Sequence, residues 1–257
     1  MSLRSPGPIL GYHGIGGPDS FLTVREDDFA WQMAYLARRG FRVLTLSQWA
    51  QKWRQGMGPG GRAVVITFDD GLASVWERAA PILERHGFCA TVFPVTGYLG
   101  KHNDWEGRGP APALPLMSWA EIRALARDGH ELAPHSHSHP RLPELPEAAQ
   151  ADEIACCRRL LEERLGRPVP PLFCYPHGRY DTRTTAVLRR LGFEGAVTTA
   201  LGWNPPGQDP LAWGRIVSRW FRRHRLLFAL FLEGFGSRFL LGLARHHARR
   251  RQRPAGG

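Results

Sequence analysis

The 257-residue sequence is poor in cysteine, and its cysteines are not spaced for a disulfide framework. It contains four, with no CxxC pair and no dense, regular pattern. We therefore exclude a disulfide-rich secreted fold and expect a reducing compartment. The four cysteines are Cys89, Cys156, Cys157 and Cys174.

The sequence also lacks a recognisable secretory leader, because residues 1–6 do not place a charged segment before an apolar one. An apolar stretch over residues 226–243 is interrupted by Glu233, Arg238 and three glycines. A helix that spans a bilayer needs about 20 mostly apolar residues without such charges. We expect a cytoplasmic protein, and a peripheral position at the inner membrane face stays open.

Net positive charge is small in most of the chain, although the formal net charge of the whole chain is +11. Residues 219–257 contain ten arginines and one acid, Glu233, a net charge of +9 that leaves +2 for residues 1–218. We therefore divide the chain into a nearly neutral domain, residues 1–218, and a basic, partly amphipathic helix and tail, residues 219–257. A nearly neutral body argues against nucleic acid as the partner.

Two interpretations of the basic segment remain open. It is either the last helix of the domain followed by a disordered basic end, or an interfacial helix. In the second case residues 225–253 would contact an anionic membrane peripherally, because arginines flank an apolar helical face.

Strand and helix patterns alternate along residues 8–218, which is typical of a mostly parallel sheet with helical crossovers. About seven such units, with polar loops after the strands, predict a single-domain α/β barrel. Thr23–Glu26 and Ser118–Glu121 have the spacing of capping boxes and predict helix starts there. Periodicity predicts a further helix over Glu147–Leu165.

The residues that carry chemistry begin at Asp69 and Asp70, after the apolar run 63–66 and before Gly71. Adjacent side chains of a regular strand point to opposite faces, so two neighbouring acids can share one site only if the chain turns there. Their like charges repel, so a cation or a proton has to give the two carboxylates different roles. His135 and His139 have a usual ligand spacing and, with Asp70, would form a three-ligand metal site with open positions. Asp69 would then be free to act as a base. The alternatives are a polar turn and an exposed histidine-rich loop.

These motifs resemble the polysaccharide deacetylase family, the NodB-homology carbohydrate esterases. The resemblance covers residues 8–218, and its opening motif is similar to the branch that deacetylates exopolysaccharides. The matching segments are Tyr12–Ile15, Thr67–Gly71, Gly129–Glu131, His135–Pro140 and Phe173–Asp181.

The resemblance implies a distorted (β/α) barrel of about seven strands. It also implies that Asp69 is the general base, and that Asp70, His135 and His139 bind a divalent metal. Zn²⁺ is the first choice for that metal, with Co²⁺ or Ni²⁺ as alternatives. The metal would polarise an acetamide carbonyl while Asp69 takes a proton from the attacking water. The backbone N–H of His177, in the motif with Tyr175 and Pro176, would help to hold the oxyanion.

The sequence departs from the family pattern at two points. Cys174 stands where the family often has the arginine that orients the base, and Arg215 is our candidate substitute. The late motif that supplies the general acid is not evident. In the branch that deacetylates exopolysaccharides a histidine of the N-terminal Tyr-His motif fills that role, so the resemblance implies His13 as the candidate acid. The alternative for His13 is a structural loop histidine.

The function we predict is metal-dependent removal of N-acetyl groups from an amino sugar, with release of acetate. The substrate would be an N-acetylated polysaccharide or a lipid-linked glycan precursor. Two alternatives remain: a barrel amidohydrolase for a small non-sugar C–N bond, or a catalytically weak glycan-binding member of an assembly machine. Four tryptophans could stack on sugar rings or pack in the barrel: Trp105, Trp119, Trp203 and Trp213.

Overall fold

The computed structural model describes residues 7–56, 62–105, 113–205 and 207–233. Strands and helices alternate along these residues, as the sequence predicts. The strands are β1 (Ile9–Tyr12), β2 (Gly14–Ile15), β3 (Thr23–Val24), β4 (Arg42–Leu44), β5 (Ala63–Asp70), β6 (Thr91–Pro94), β7 (Glu131–Leu132), β8 (Leu172–Cys174), β9 (Gly195–Val197) and β10 (Ile216–Val217). The α-helices are α1 (Glu26–Arg38), α2 (Leu46–Arg54), α3 (Ala80–Glu84), α4 (Trp119–Arg127), α5 (Glu147–Leu165), α6 (Thr182–Arg190) and α7 (Arg225–Leu232).

The main sheet is parallel throughout, with the order β10-β1-β5-β6-β7 and with β4 beside the first half of β5. All eight residues of β5 are buried. A central parallel strand is covered on both faces, which explains why its sequence is a continuous apolar run rather than an alternating one. The carboxyl ends of these strands lie at one end of the domain.

Further backbone hydrogen bonds connect this sheet to the pair β8 and β9. Cys174 N–H donates to the carbonyl of Pro134, just beyond β7 (3.1 Å), and Trp213 N–H donates to Ala196 in β9 (2.9 Å). Arg215, next to β10, donates its N–H to the carbonyl of Ala200 (2.7 Å). The bonds therefore link seven parallel strands in the order β1, β5, β6, β7, β8, β9 and β10, and β10 pairs again with β1. This arrangement agrees with the predicted mixed α/β fold of about seven strands.

Apolar side chains fill both the space inside the strands and the layer beneath the helices. Val65, Phe93 and Trp213 belong to an inner cluster, whereas Phe29 and Met33 of α1 pack on the outer side of the strands. Full burial of one such side chain contributes about 1.5–3 kcal/mol to folding. The strand ends that carry the polar motifs are thus held by a rigid, well-packed scaffold.

Helix α7 packs on α1 through Phe228, whose ring contacts those of Trp31 and Tyr35. Glu233 follows the helix and forms ion pairs with Arg39 and Arg62, 2.8 Å each. The rest of the predicted basic tail, residues 234–257, lies outside the described residues. Among the helices that the structure describes, none is both long and apolar enough to cross a membrane.

The two predicted capping boxes have different outcomes. Ser118 caps α4 and forms a reciprocal pair with Glu121, as predicted. The prediction at Thr23 is wrong, because Thr23 lies in β3 and its hydroxyl donates to the carbonyl of Pro18 (2.6 Å). The residue before α1 is Arg25, and its side chain makes no capping hydrogen bond. Thr23 cannot cap α1 because its backbone pairs with β2 as part of β3.

Candidate active site

Asp69 and Asp70 end β5 and point toward different partners. Asp70 has a φ of 70°, in the left-handed region, so the regular alternation of the strand stops there. Asp69 contacts Arg215 and Asp70 lies next to His135. The turn therefore directs the two adjacent carboxylates to different partners.

Arg215 holds the Asp69 carboxylate in a two-point contact. Its Nη1 is 2.7 Å from Oδ1 and its Nη2 is 2.6 Å from Oδ2. Both side chains are buried. Burial alone would raise the pKa of the Asp69 carboxyl, but the Arg215 charge and hydrogen bonds lower it to about 2. Asp69 is therefore ionised and cannot rotate freely.

The remaining donors of Arg215 are also used. Nε donates to the carbonyl of Thr198 (2.9 Å), and Nη1 also donates to the hydroxyl of Thr67 (2.9 Å). The Cys174 thiol lies beside the pair, 3.4 Å from Asp69 Oδ1 and 3.5 Å from Arg215 Nη2. The Arg215 guanidinium thus reaches the Asp69 carboxylate from the start of β10, the strand that pairs with β1. The small Cys174 side chain leaves room for it.

His13 follows β1 and lies on the open side of Asp69. Its Nε2 is 3.9 Å from Asp69 Oδ2, and about one fifth of its side chain is exposed (22%). Nδ1 is buried and has no hydrogen-bond partner among the described residues. The candidate acid and the candidate base therefore share one small space.

Asp70, His135 and His139 form the candidate metal group. Asp70 Oδ1 lies 3.4 Å from His135 Nε2 and 3.5 Å from His139 Nε2, and all three side chains are buried. His135 Nδ1 lies 2.8 Å from the Cys174 carbonyl. Because a carbonyl only accepts, Nδ1 carries the proton and Nε2 faces Asp70.

The chemistry of this group fits a divalent cation. Burial lowers the pKa of His139 well below its ordinary value, so its imidazole is neutral. Burial would also lower the pKa of His135, but Cys174, Asp70 and Asp69 raise it well above the ordinary value, so the pocket favours positive charge. Two imidazole nitrogens that converge on one carboxylate oxygen are a usual donor set for a divalent metal.

A second group of ligand-type atoms, Asp69, His135 and Cys174, lies nearby. It is a poor cation site because Arg215 already neutralises Asp69 at 2.6–2.7 Å. A further positive charge would meet the guanidinium in a buried space, where like charges repel strongly. The geometry therefore favours the Asp70 group.

The comparisons with known proteins agree with this site. A family model described as polysaccharide deacetylase matches residues 57–196, more than half of the chain. The chain belongs to the polysaccharide deacetylase family. The YxkH protein of Bacillus subtilis is 28% identical over 196 residues, which are 76% of this chain and 65% of YxkH. The poly-beta-1,6-N-acetyl-D-glucosamine N-deacetylase of Escherichia coli is 31% identical over 138 residues, which are 51% of this chain and 20% of that protein.

Among solved structures, IcaB from Ammonifex degensii superposes with a TM-score of 0.72 at 28% identity, covering 84% of this chain and 94% of IcaB. This confirms the predicted fold class. The chain spans less than two thirds of the two curated relatives, 65% and 20% of their lengths.

The loop that carries the histidines of this family member is strained and firmly held. Ser136 and His139 have φ of 67° and 61°, in the left-handed region that residues other than glycine rarely adopt. The Ser136 hydroxyl accepts from His139 N–H at 3.0 Å. Glu153 of α5 accepts from the N–H groups of His137 and Ser138 (3.0 and 2.8 Å) and from the Ser138 hydroxyl (2.6 Å). The contacts offset the strain and fix the ligand loop.

Sequence reasoning did not identify Glu153. It lies on a long helix among other charged residues, and its partners are backbone groups. An acid on the inner side of α5, six residues after the first acid of the helix, is too common a pattern to be a signal. Only the packing of α5 beside the histidine loop reveals its contacts.

The residues predicted to contact the substrate, Tyr175, Pro176 and His177, differ in their surroundings. Tyr175 is buried, donates its hydroxyl to the Leu211 carbonyl (2.9 Å) and stacks on Tyr180. Pro176 is also buried and opens a single helical turn. His177 within that turn has a φ of 58°, and its ring lies 4.4 Å from that of His139. The Tyr175 side chain is therefore part of the core, while His177 borders the candidate metal group.

The four tryptophans have different surroundings. Trp213 is fully buried against Trp49, so it is part of the core. Trp105 lies beside the site, with its ring 4.5 Å from that of His139. Trp119 and Trp203 are partly buried and pack against the apolar core. Trp105 is thus the tryptophan that borders the metal group.

Proposed function

We propose that the chain is a metal-dependent hydrolase that removes N-acetyl groups from an amino sugar in a polysaccharide or lipid-linked glycan precursor and releases acetate. The observation that carries the proposal is the pairing of a buried, ionised Asp69 with a three-ligand metal group one residue away. A fixed base beside a cation site is an arrangement that can activate water for the hydrolysis of an amide. Membership in the polysaccharide deacetylase family directs it to N-acetylated glycans.

Asp69 is suited to accept a proton from water. Its two oxygens are fixed by Arg215, and its low pKa keeps it ionised over the physiological range. A carboxylate this strongly stabilised is a weak base in the ground state. Arg215 therefore serves to orient Asp69. Because Asp69 is a weak base, it can accept a proton only from a water molecule whose own pKa has been lowered.

Asp70, His135 and His139 would hold the metal. Tetrahedral zinc with ligand distances of about 2.0–2.1 Å places neighbouring ligand atoms about 3.3–3.4 Å apart. The Asp70 separations of 3.4 and 3.5 Å suit that ion, and Co²⁺ and Ni²⁺ accept the same donors. Bound there, the metal would polarise the acetamide carbonyl and lower the pKa of a water molecule.

The other two steps belong to His177 and His13. The left-handed turn at His177 lies against His139, so a backbone N–H there could stabilise the oxygen that becomes negative. His13 lies 3.9 Å from Asp69 and is partly exposed, a suitable place to give a proton to the leaving amine.

The contact between Arg215 and Asp69 favours an active enzyme over a catalytically weak glycan-binding protein. The loss of the family arginine at Cys174 was the reason to consider the weaker alternative. Arg215 supplies a guanidinium to the same base, so the departure leaves the base oriented. The cytoplasmic location expected from the sequence stays a prediction.

Acetate release is the measurement that tests this function. The substrates would be β-1,6-linked N-acetylglucosamine oligomers, other N-acetylhexosamine oligomers and lipid-linked N-acetyl sugars. The enzyme would be treated with chelator and then restored with Zn²⁺, Co²⁺ or Ni²⁺. Asp69→Asn is the matched variant, because it keeps the shape of the base and removes its charge.

We expect release that requires metal and is lost in Asp69→Asn, while that variant still binds metal. Metal binding without release from any N-acetyl sugar would overturn the glycan assignment and favour a small non-sugar amide. Failure to bind metal in the folded protein would refute the mechanism.

A further inference from the structure

Exposed apolar side chains of the described residues concentrate on α7 and one neighbouring loop. Leu226 exposes 72% of its surface, and Leu227 and Leu230 expose 39% and 38%. Phe21, 56% exposed, follows Ser20, whose carbonyl accepts a hydrogen bond from Arg222 at 2.7 Å. Leu226 and Leu230 are one turn apart on α7, opposite the buried Phe228. The helix therefore presents a second apolar stripe to solvent.

Arginines border this stripe. Arg222 and Arg223 both pair with the single carboxylate of Asp19, and Arg225 pairs with Asp28. Three cations thus share two acids. We define the α7 edge as Phe21, Arg222, Arg223, Leu226, Leu227 and Leu230.

The sequence beyond α7 adds charge of the same sign. Residues 234–257 contain six arginines and no acid, so the chain continues from the α7 edge with a net charge of +6. Apolar side chains beside a cluster of arginines match the two components of an anionic lipid surface, acyl chains and phosphate groups. Exposed apolar side chains alone would fit either a lipid surface or a protein partner. The arginines beside them favour an anionic lipid surface.

The α7 edge lies at the same end of the barrel as the catalytic residues. Gly14, the residue after His13, donates its N–H to the carbonyl of Leu22 (2.9 Å), next to Phe21. The opposite end of α7 meets Arg39 and Arg62 through Glu233, just before β4 and β5 begin. The exposed leucines therefore start beside the mouth of the site.

We infer that the α7 edge is a docking surface for an anionic lipid bilayer. Docking through this edge would bring the catalytic end of the barrel to the plane of the headgroups. This binding does not depend on the proposed deacetylation, and its test uses no substrate.

The test is co-sedimentation of the full chain with vesicles of phosphatidylcholine, with and without phosphatidylglycerol, at low and high salt. Leu226→Gln/Leu230→Gln removes the exposed stripe and leaves the buried face of α7 unchanged. Arg223→Gln removes one charge, and Arg159→Gln on α5 is its control, because both arginines are more than half exposed and paired with an acid.

We expect binding that requires phosphatidylglycerol, weakens in high salt and falls about tenfold in the leucine variant. Arg223→Gln should weaken binding and Arg159→Gln should not. Turnover of a soluble oligosaccharide should be the same in all four proteins, which separates this test from that of the function. Unchanged binding of the leucine variant would overturn the inference, because the basic tail alone would then account for it. A wild-type dimer that the leucine variant converts to a monomer, without vesicle binding, would assign the edge to a second copy.

Discussion

Replacing Arg215 with methionine would leave the Asp69 carboxylate buried without its counter-charge. Methionine keeps much of the apolar length of the side chain but loses two hydrogen bonds to Asp69, one to Thr67 and one to Thr198. Removing one partner of a buried ion pair costs about 3–5 kcal/mol of folding free energy. We expect a loss of that size in the free energy of unfolding.

The pH dependence of stability should change sign between the two proteins. In the wild type the pKa of Asp69 is lowered from 3.8 to about 2, so its ionised form stabilises the fold by about 2 kcal/mol. That contribution is complete above pH 4 and is lost as the pH falls toward 2. Without Arg215, burial dominates and raises the pKa of Asp69 above 3.8, so the variant gains stability from Asp69 as the pH falls.

The assay is urea unfolding of wild type, Arg215→Met and Asp69→Asn/Arg215→Met, each at neutral and acidic pH. The double variant removes the stranded charge, so it should be more stable than Arg215→Met at neutral pH, and this difference should shrink in acid. If Arg215→Met loses less than about 1 kcal/mol, or the double variant is no more stable, Asp69 is not held as an unscreened buried charge and our reasoning is refuted.

Three further changes test the rest of the site. Glu153→Ala removes the acceptor of the His137 and Ser138 N–H groups and should weaken metal affinity about 10- to 100-fold in chelator competition, whereas Asp152→Ala at the exposed neighbour should not. His13→Ala should lower turnover by about 10²- to 10⁴-fold without changing metal affinity, and retention of most turnover would reject His13 as the acid. Gly178→Ala places a Cβ against the Thr199 hydroxyl at a φ of +67° and should lower the melting temperature more than Gly166→Ala, which has the same φ but open space around the new Cβ. Equal effects of the two alanines would show that φ alone, not the contact, sets the cost.

The residues of the candidate metal group could be found from the sequence because each lies in a short, distinctive motif. Asp70 follows an apolar strand directly, and His135 and His139 lie in one loop, so local sequence is enough to identify them. The alternation of strands and helices likewise predicts the parallel fold, because a crossover helix is required between parallel strands. Glu153 could not be predicted, since its partners are backbone groups that only tertiary packing brings to α5.

Local pattern also fails where a longer-range contact competes for the same group. Ser118 and Thr23 begin identical capping patterns, yet only Ser118 caps a helix. The Thr23 hydroxyl bonds to Pro18, and its backbone belongs to a strand. The sequence pattern is the same in both cases, and the neighbouring strand decides the outcome.

A long-range contact also decides which residue stabilises Asp69, because position 174 is a cysteine and the guanidinium comes from Arg215. A guanidinium neutralises the buried Asp69 carboxylate at the end of β5, and the ring of strands offers two places from which such a group can come. Cys174 ends β8, while Arg215 immediately precedes β10, on the other side of β9, and its Nη2 lies 3.5 Å from the thiol. A side chain of that length can reach Asp69 from either strand because the strand ends converge on one small space. In this chain the guanidinium reaches Asp69 from position 215 rather than from position 174, so an absent motif arginine does not by itself indicate an inactive site.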